Sequence, residues 1–225
     1  VDIAGTGNAA ANTLLGNAGA NLFRRGAGND TILAGAGNDL AFGEAGDDSL
    51  GGGEGADQLS GGEGADRLAG GAGDDLPQGE AGEDALDGGE GVHRLFGGEG
   101  ADTLAAGAGP DALRGEDGDD RLSGGPDIAF DLLLGGAGND TPDGAGGLGE
   151  AGADIFLFRP GSGTVVGDFL PGPDRLCLAG FGLAFPVLQA RWVVAEGGLA
   201  VDLGEGDPVV LSGVAGLSPG DVLFA

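Results

Sequence analysis

From residue 7 onward an apolar side chain returns at every ninth position: Leu14, Phe23, Ile32, Leu50, Leu59, Leu68, Leu86, Leu95, Leu104, Leu113 and Leu122, with Ala41 and Pro77 filling the two gaps. Between these positions the chain is built of Gly, Asp, Glu and Ala. Thirteen nonads begin at Gly7 and run to residue 123 without a slip, the best formed being Gly52-Gly53-Glu54-Gly55-Ala56-Asp57-Gln58-Leu59-Ser60. Glycine permits positive φ and close backbone approach, so the first six residues of a nonad predict a tight turn. The last three predict a very short strand, whose middle residue points inward while its neighbours face water. Two nonads then close one coil of eighteen residues, with a strand on each side and the Leu side chains meeting between two parallel sheets. The fold expected is all-β, a right-handed parallel β-roll or solenoid, in which neighbouring coils supply the ladder bonds that a three-residue strand lacks by itself.

The register loosens after residue 123. A two-residue expansion falls inside 124–134, a regular nonad spans 135–143, a five-residue insertion covers 144–148, and a last block at 149–157 restores Asp154. Beyond it the text changes to apolar runs at 155–158, 164–169, 175–178, 192–194 and 199–203, punctuated by Gly and Pro, which predict strands able to cover the open end of a roll. This divides the chain into a lead-in at 1–6, a roll at 7–157 and a C-terminal β cap at 158–225.

Composition limits the chemistry. With 55 Gly, 10 Phe, 1 Trp and no Met or Tyr in 225 residues, a core of large side chains is poorly supplied. A net charge of −28 repels nucleic acid and anionic membranes and makes cations the natural partners. The single cysteine, Cys177, forms no internal disulfide, no apolar run is long enough to span a membrane, and the first residues lack a secretory leader. The chain opens on Val1 rather than Met, as expected of a fragment or a trimmed product.

Stacking at an eighteen-residue repeat aligns position six of alternate nonads. One column reads Asn12, Asp30, Asp48, Asp66, Asp84, Asp102, Asp120; the other reads Asn21, Asp39, Asp57, Asp75, His93, Asp111. Oxygen ligands in carbonyl-rich turns, without Cys or His clusters, suit a hard cation, and Ca²⁺ accepts six to eight such oxygens more readily than Mg²⁺ accepts a dry cage.

Residues 7–157 thus resemble the RTX repeats, whose pattern is Gly-Gly-x-Gly-x-Asp-x-Leu-x. The resemblance implies Ca²⁺ between stacked loops, held by the carbonyls of positions two and four and the Asp of one loop, with the carbonyls of positions one and three and the Asp of the next. Gly62, Gly64 and Asp66 with Gly79, Ala81 and Asp84 form one such set. Carried along the chain, it implicates Gly43, Gly52, Gly61, Gly70, Gly79 and Gly97 at position one and Gly26, Gly35, Gly53, Gly62 and Gly98 at position two. At position four it implicates Gly28, Gly37, Gly46, Gly55, Gly64, Gly82 and Gly100. Consecutive Asp pairs give five sites in the first column (30/48, 48/66, 66/84, 84/102, 102/120) and two in the second (39/57, 57/75), with further candidates at Asp111/Asp131 and Asp120/Asp140. Glu44, Glu80 and Glu116 stand at position two, where a carbonyl ligand does not depend on its side chain.

His93 interrupts the second column. The plainer reading is one decayed site; the alternative, a pH-sensing role, rests only on histidine's titration range. The Asn12 and Asn21 loops read as an N-terminal cap with weak binding. Because the sites exist only when loops stack, the chain is expected to be disordered without calcium and to fold on binding it.

The C-terminal part resembles secreted serralysin-type exoproteins in Ala153-Asp154-Ile155-Phe156-Leu157-Phe158, Val166-Gly167-Asp168-Phe169 and Asp174-Arg175-Leu176-Cys177-Leu178. Ser218–Ala225 is similar to the family's uncleaved type I secretion signal, a reading compatible with a final edge strand. The partners implied are calcium and the type I secretion machinery; the state implied is an extracellular bacterial monomer without a cleaved signal peptide. One His excludes a His-Glu-x-x-His zinc motif, and Gly161-Ser162-Gly163 reads as a turn, so no enzyme activity is expected of the chain itself. The leading reading is a calcium-binding folding and export module; the alternatives are the non-catalytic C-terminal part of a larger secreted protease, lipase or epimerase, and a calcium-stiffened surface spacer or adhesin.

Overall fold

A computed structural model describes residues 2–125, 129, 131–138, 140–143, 155–158, 164–166, 175–178, 192–195, 198–202, 208–212, 214 and 216–224. Among them no helix occurs. Strands from residues 4–143 alternate between two parallel sheets, eight in each. One sheet starts with β1 (Ala4–Thr6), β3 (Leu22–Ala27), β5 (Leu40–Ala45) and β7 (Gln58–Glu63) and continues through every odd-numbered strand to β15 (Leu132–Ala137). The other runs from β2 (Thr13–Asn17) through β4 (Thr31–Ala36) and β6 (Ser49–Glu54) to β16 (Thr141–Asp143). Partners in register lie eighteen residues apart: Leu50 with Leu68, Leu86 with Leu104, Leu95 with Leu113. This is the parallel β-solenoid that the nine-residue period predicts.

The strands are longer than expected. β7 spans six residues, covering positions seven to nine of one nonad and one to three of the next, and the turn shrinks to positions four to six. The ladder explains this extension. Rungs join Gln58, Leu59 and Ser60 to the next coil, lapse at position one, and resume at Gly62 and Glu63. Gly62 has φ 118°, so the strand kinks there without leaving the sheet. The lead-in also belongs to the sheet: Ala4, Gly5 and Thr6 pair with Leu22, Phe23 and Arg24, as the last triplet of a further nonad would.

Side-chain direction follows the alternation. Leu59, Leu68, Leu95, Leu104 and their equivalents at position eight are buried, positions seven and nine point outward, and position one points inward again. Burying each Leu contributes roughly 1.5–3 kcal/mol. One such residue per nine is a thin core, and the space on either side of it is left to glycine and aspartate.

After residue 123 the rungs shift as the sequence predicts: Ala112 pairs with Leu132, twenty residues on, and Leu132 with Ile155, twenty-three residues on. β17 (Ile155–Phe158), β19 (Arg175–Leu178) and β23 (Val222–Phe224) extend the first sheet. β18 (Thr164–Val166), β20 (Trp192–Ala195), β21 (Gly198–Asp202) and β22 (Pro208–Ser212) form a separate four-stranded sheet that is partly antiparallel. The sequence reading did not anticipate β22. Asp154, the insertion at 144–148, the Gly161-Ser162-Gly163 turn, and residues 167–169 and 174 of the serralysin-like runs lie outside the described residues.

Candidate metal centre

Stacking builds two columns of buried carboxylates. Asp30, Asp39, Asp48, Asp57, Asp66, Asp75, Asp84, Asp102, Asp111, Asp120, Asp131 and Asp140 are all buried, an unusual state for so many like charges. Within each column one carboxylate oxygen is committed to the backbone. Asp48 Oδ1 accepts the N–H of Asp30 at 2.7 Å, Asp66 Oδ1 that of Asp48 at 2.7 Å, and Asp84 Oδ1 that of Asp66 at 2.8 Å. The ladder continues to Asp120 and Asp140, and in the second column from Asn21 to Asp75. These bonds fix the carboxylate plane. The other oxygen, Oδ2, is buried and has no hydrogen-bond partner in Asp30, Asp39, Asp48, Asp57, Asp66, Asp75, Asp84, Asp102, Asp120 and Asp140.

Position one shows where those oxygens point. Gly43, Gly52, Gly61, Gly70, Gly79 and Gly97 do not have positive φ, so conformational freedom does not explain them. Space does. A β-carbon on Gly43 would lie 2.6 Å from the carbonyl oxygen of Gly61 and closer still to Asp48 Oδ2. On Gly52 it would meet Asp57 Oδ2 and, at 2.7 Å, the carbonyl oxygen of Gly70; on Gly79 it would meet Asp84 Oδ2 and, at 2.6 Å, that of Gly97. Each such cradle brings together the orphaned oxygen of one loop and the position-one carbonyl of the next. Calcium–oxygen distances are about 2.3–2.6 Å, so an oxygen-lined pocket of this size fits that ion. Among the described residues no three carboxylate, imidazole or thiol side chains converge as a side-chain cage, and carbonyls must complete the coordination.

The electrostatics agree. Burial pushes the carboxyl of Asp66 up to about 7, and those of Asp57, Asp84, Asp102, Asp120 and Asp140 up to about 6; the backbone N–H bond pulls the other way, and neighbouring aspartates add to the rise in most of them. Asp48 and Asp75 are raised for the same leading reason. Without a cation, the folded columns favour protons.

The remaining candidate positions fall into place unevenly. Gly53, Gly55, Gly62, Gly64, Gly98 and Gly100 have positive φ and sit against carbonyls of the preceding coil. The Ala81 carbonyl, a position-three candidate, already accepts the N–H of Gly64 at 2.8 Å and has its second lone pair left. Glu44, Glu80 and Glu116 adopt φ 77°, 79° and 82°, a region that costs a non-glycine residue of order 1–3 kcal/mol. Two of the seven counted pairs, 30/48 and 39/57, carry Arg25 and Ala34 at position one, and there a side chain enters the space that glycine leaves open elsewhere.

His93 is fully buried in the second column. Its Nδ1 accepts the N–H of Asp75 at 3.2 Å, which fixes Nδ1 as the unprotonated nitrogen, so its 3.9 Å approach to Asp75 Oδ2 is not an ion pair. The ring carbon Cδ2 lies 2.6 Å from the point where a β-carbon of Gly88 would sit. A carbon atom therefore lines this cradle where the others present oxygen.

The profile of the RTX calcium-binding nonapeptide repeat matches residues 6–41, 25–59, 60–92, 96–128 and 129–147. The chain belongs to this RTX family. Among curated proteins none matches. Among solved structures, the extracellular lipase LipA from Serratia marcescens is similar at 18% identity with a TM-score of 0.42, over 76% of this chain and 40% of that one. The RTX chain thus spans less than half of that lipase's length.

Proposed function

We propose that this RTX chain binds several Ca²⁺ ions along its two aspartate columns and that this binding drives folding of the roll outside the cell. The observation that carries the reading is the set of buried, unpartnered Asp Oδ2 atoms, of which those of Asp48, Asp57, Asp75, Asp84, Asp102 and Asp120 face a cradle lined by a carbonyl of the next coil. An unpaired buried carboxylate is costly, and removing its partner is worse than never burying it. A divalent cation would neutralise two carboxylates and join consecutive coils.

The chain's own residues set the terms. Each Asp Oδ1 bond to the preceding coil holds Oδ2 toward the ion position, while position-one glycine keeps that position open. Asp48, Asp57, Asp75, Asp84, Asp102 and Asp120 with the carbonyls of Gly61, Gly70, Gly88, Gly97, Gly115 and Gly135 are the most complete oxygen sets. Because the cradle exists only between stacked coils, affinity and folding are one equilibrium. Modules of this kind bind at about 10⁻⁴–10⁻³ M in extracellular settings, which would leave the chain unfolded in a low-calcium cytosol. Export through a type I secretion machine, with Ser218–Ala225 as its signal, fits that order of events, and no catalytic role is assigned to the chain itself.

The test is far-ultraviolet circular dichroism during a calcium titration. Strand signal should be weak in excess chelator and rise cooperatively with Ca²⁺. A full strand signal persisting in chelator would overturn the reading.

A further inference from the structure

The first coil differs from those after it: its two cradles are already filled by side-chain groups of the protein. In the second column Asn21 replaces aspartate and is buried. Its Nδ2 donates to the Gly19 carbonyl at 2.6 Å, to Asp39 Oδ1 at 2.9 Å and to the Ala34 carbonyl at 3.2 Å. Those acceptors are the position-four carbonyl of one loop and the carboxylate and position-one carbonyl of the next. Of these, the position-one carbonyl is the type of oxygen that faces the later cradles, whereas Asp39 Oδ1 also accepts the Asn21 backbone N–H at 2.6 Å. Nδ2 lies 3.0 Å from the point where a β-carbon of Gly16 would sit, inside the cradle itself.

In the first column the filling group comes from the next loop. Arg25 occupies position one and is 1% exposed. Its Cδ lies 3.1 Å from the β-carbon point of Gly7, beside Asn12 Oδ1 at 2.8 Å, so its stem fills the Gly7 cradle. Its Nη2 donates to the Thr31 carbonyl at 2.9 Å, and the guanidinium lies in the field of Asp30 and Asp48. Among the thirteen slip-free nonads Arg25 is the one position-one residue that is neither Gly nor Ala. An arginine keeps its charge in proteins, so here the column carries its own cation.

We propose that the Asn21 amide and the Arg25 side chain stand in for the first metal ion of each column, so that the N-terminal coils assemble without calcium and template the coils that require it. The proposal rests on the calcium reading of the later cradles. It predicts a boundary inside the roll near Gly43, because the groups that join the first coil to the second are built in, whereas the unpartnered Oδ2 atoms from Asp30 and Asp39 onward must be met from solution.

Segment-resolved hydrogen exchange of the wild-type chain in excess chelator tests it. Amides within 13–45 should exchange roughly tenfold or more slowly than those within 58–108, as expected of a locally stable unit. Asn21→Asp, nearly isosteric, should abolish that protection and add one bound Ca²⁺ by native mass spectrometry, and Arg25→Gly should act likewise in the other column. The proposal is overturned if 58–108 responds to calcium while 13–45 is unprotected without it, or if both variants keep wild-type ion counts and wild-type protection. Protection of 58–108 that persists in chelator would instead defeat the calcium reading beneath it.

Discussion

The middle coils of the roll and the C-terminal strands solve the same problem with different materials. Between Gly43 and Asp120 most nonads bury one large apolar side chain and one carboxylate, with Pro77 and His93 as exceptions, and Oδ2 of Asp48, Asp57, Asp66, Asp75, Asp84, Asp102 and Asp120 awaits a partner. In the C-terminal part Leu176, Leu178, Leu199, Leu211, Val214 and Val222 are buried, and the sequence there lacks the Gly-Asp loops. A strand stack can therefore be held by shared cations at low apolar content or by apolar burial without them, and the two regions should answer differently to the same perturbation.

Calcium removal should separate them most. In chelator the coils from Gly43 to Asp120 should lose most of their amide protection, while β20 to β22 keep theirs; equal loss in both would erase the contrast. Thinning the core is next. Leu95→Ala should destabilise the calcium-loaded roll by about 2–5 kcal/mol, and Leu199→Ala should cost a similar amount in the C-terminal sheet with or without calcium, both read from denaturant midpoints.

Changes at single cradles should be smaller and confined to the roll. Gly61→Ala places a methyl group against Asp66 Oδ2 and should lower the calcium count by one in native mass spectrometry, whereas His93→Asp should raise it by one. An unchanged count in His93→Asp would contradict the decayed-site reading, to which the buried ring carbon in the Gly88 cradle lends support.

Acid should imitate calcium weakly. In the folded, metal-free roll burial raises Asp57, Asp84, Asp102, Asp120 and Asp140 to about 6 and Asp66 to about 7, well above an unfolded aspartate near 3.9. Between pH 4 and 7 the folded roll holds more protons than the unfolded chain, so its metal-free stability falls as pH rises through that window and returns on acidification. Circular dichroism in chelator should thus regain strand signal between pH 7 and 4.5, with little change in the C-terminal sheet. The smallest effect belongs outside the columns: Arg24 stands 4.4 Å over the Phe42 ring, and Arg24→Ala should cost about 0.5–1 kcal/mol.

Much of this contrast is legible in the sequence, because a strict period fixes register. Asp48 must stack on Asp66 once an eighteen-residue coil is granted, and the added residues after 123 displace the rungs by the number the repeats imply. Periodicity says less about space. Position-one glycine reads as one more flexible residue until the carbonyl and carboxylate around its missing β-carbon are seen, and the six-residue strands follow from rungs that resume beyond it. Asn21 reads as an exception at position six, but nothing in the spacing says that its side chain, or that of Arg25 at position one, turns into a cradle. β22 escaped notice because Pro208 opens it; it pairs antiparallel with the adjacent β21 and in parallel with the distant β18.

A crystal structure of the chain grown with calcium, read through anomalous scattering, tests the central claim most directly. The account predicts peaks inside the roll, between Asp48 Oδ2 and the Gly61 carbonyl and at the equivalent points beside Gly52, Gly61, Gly79 and Gly97. It is contradicted if those cradles hold no ion and calcium is found only on exposed carboxylates such as Asp47 and Asp74.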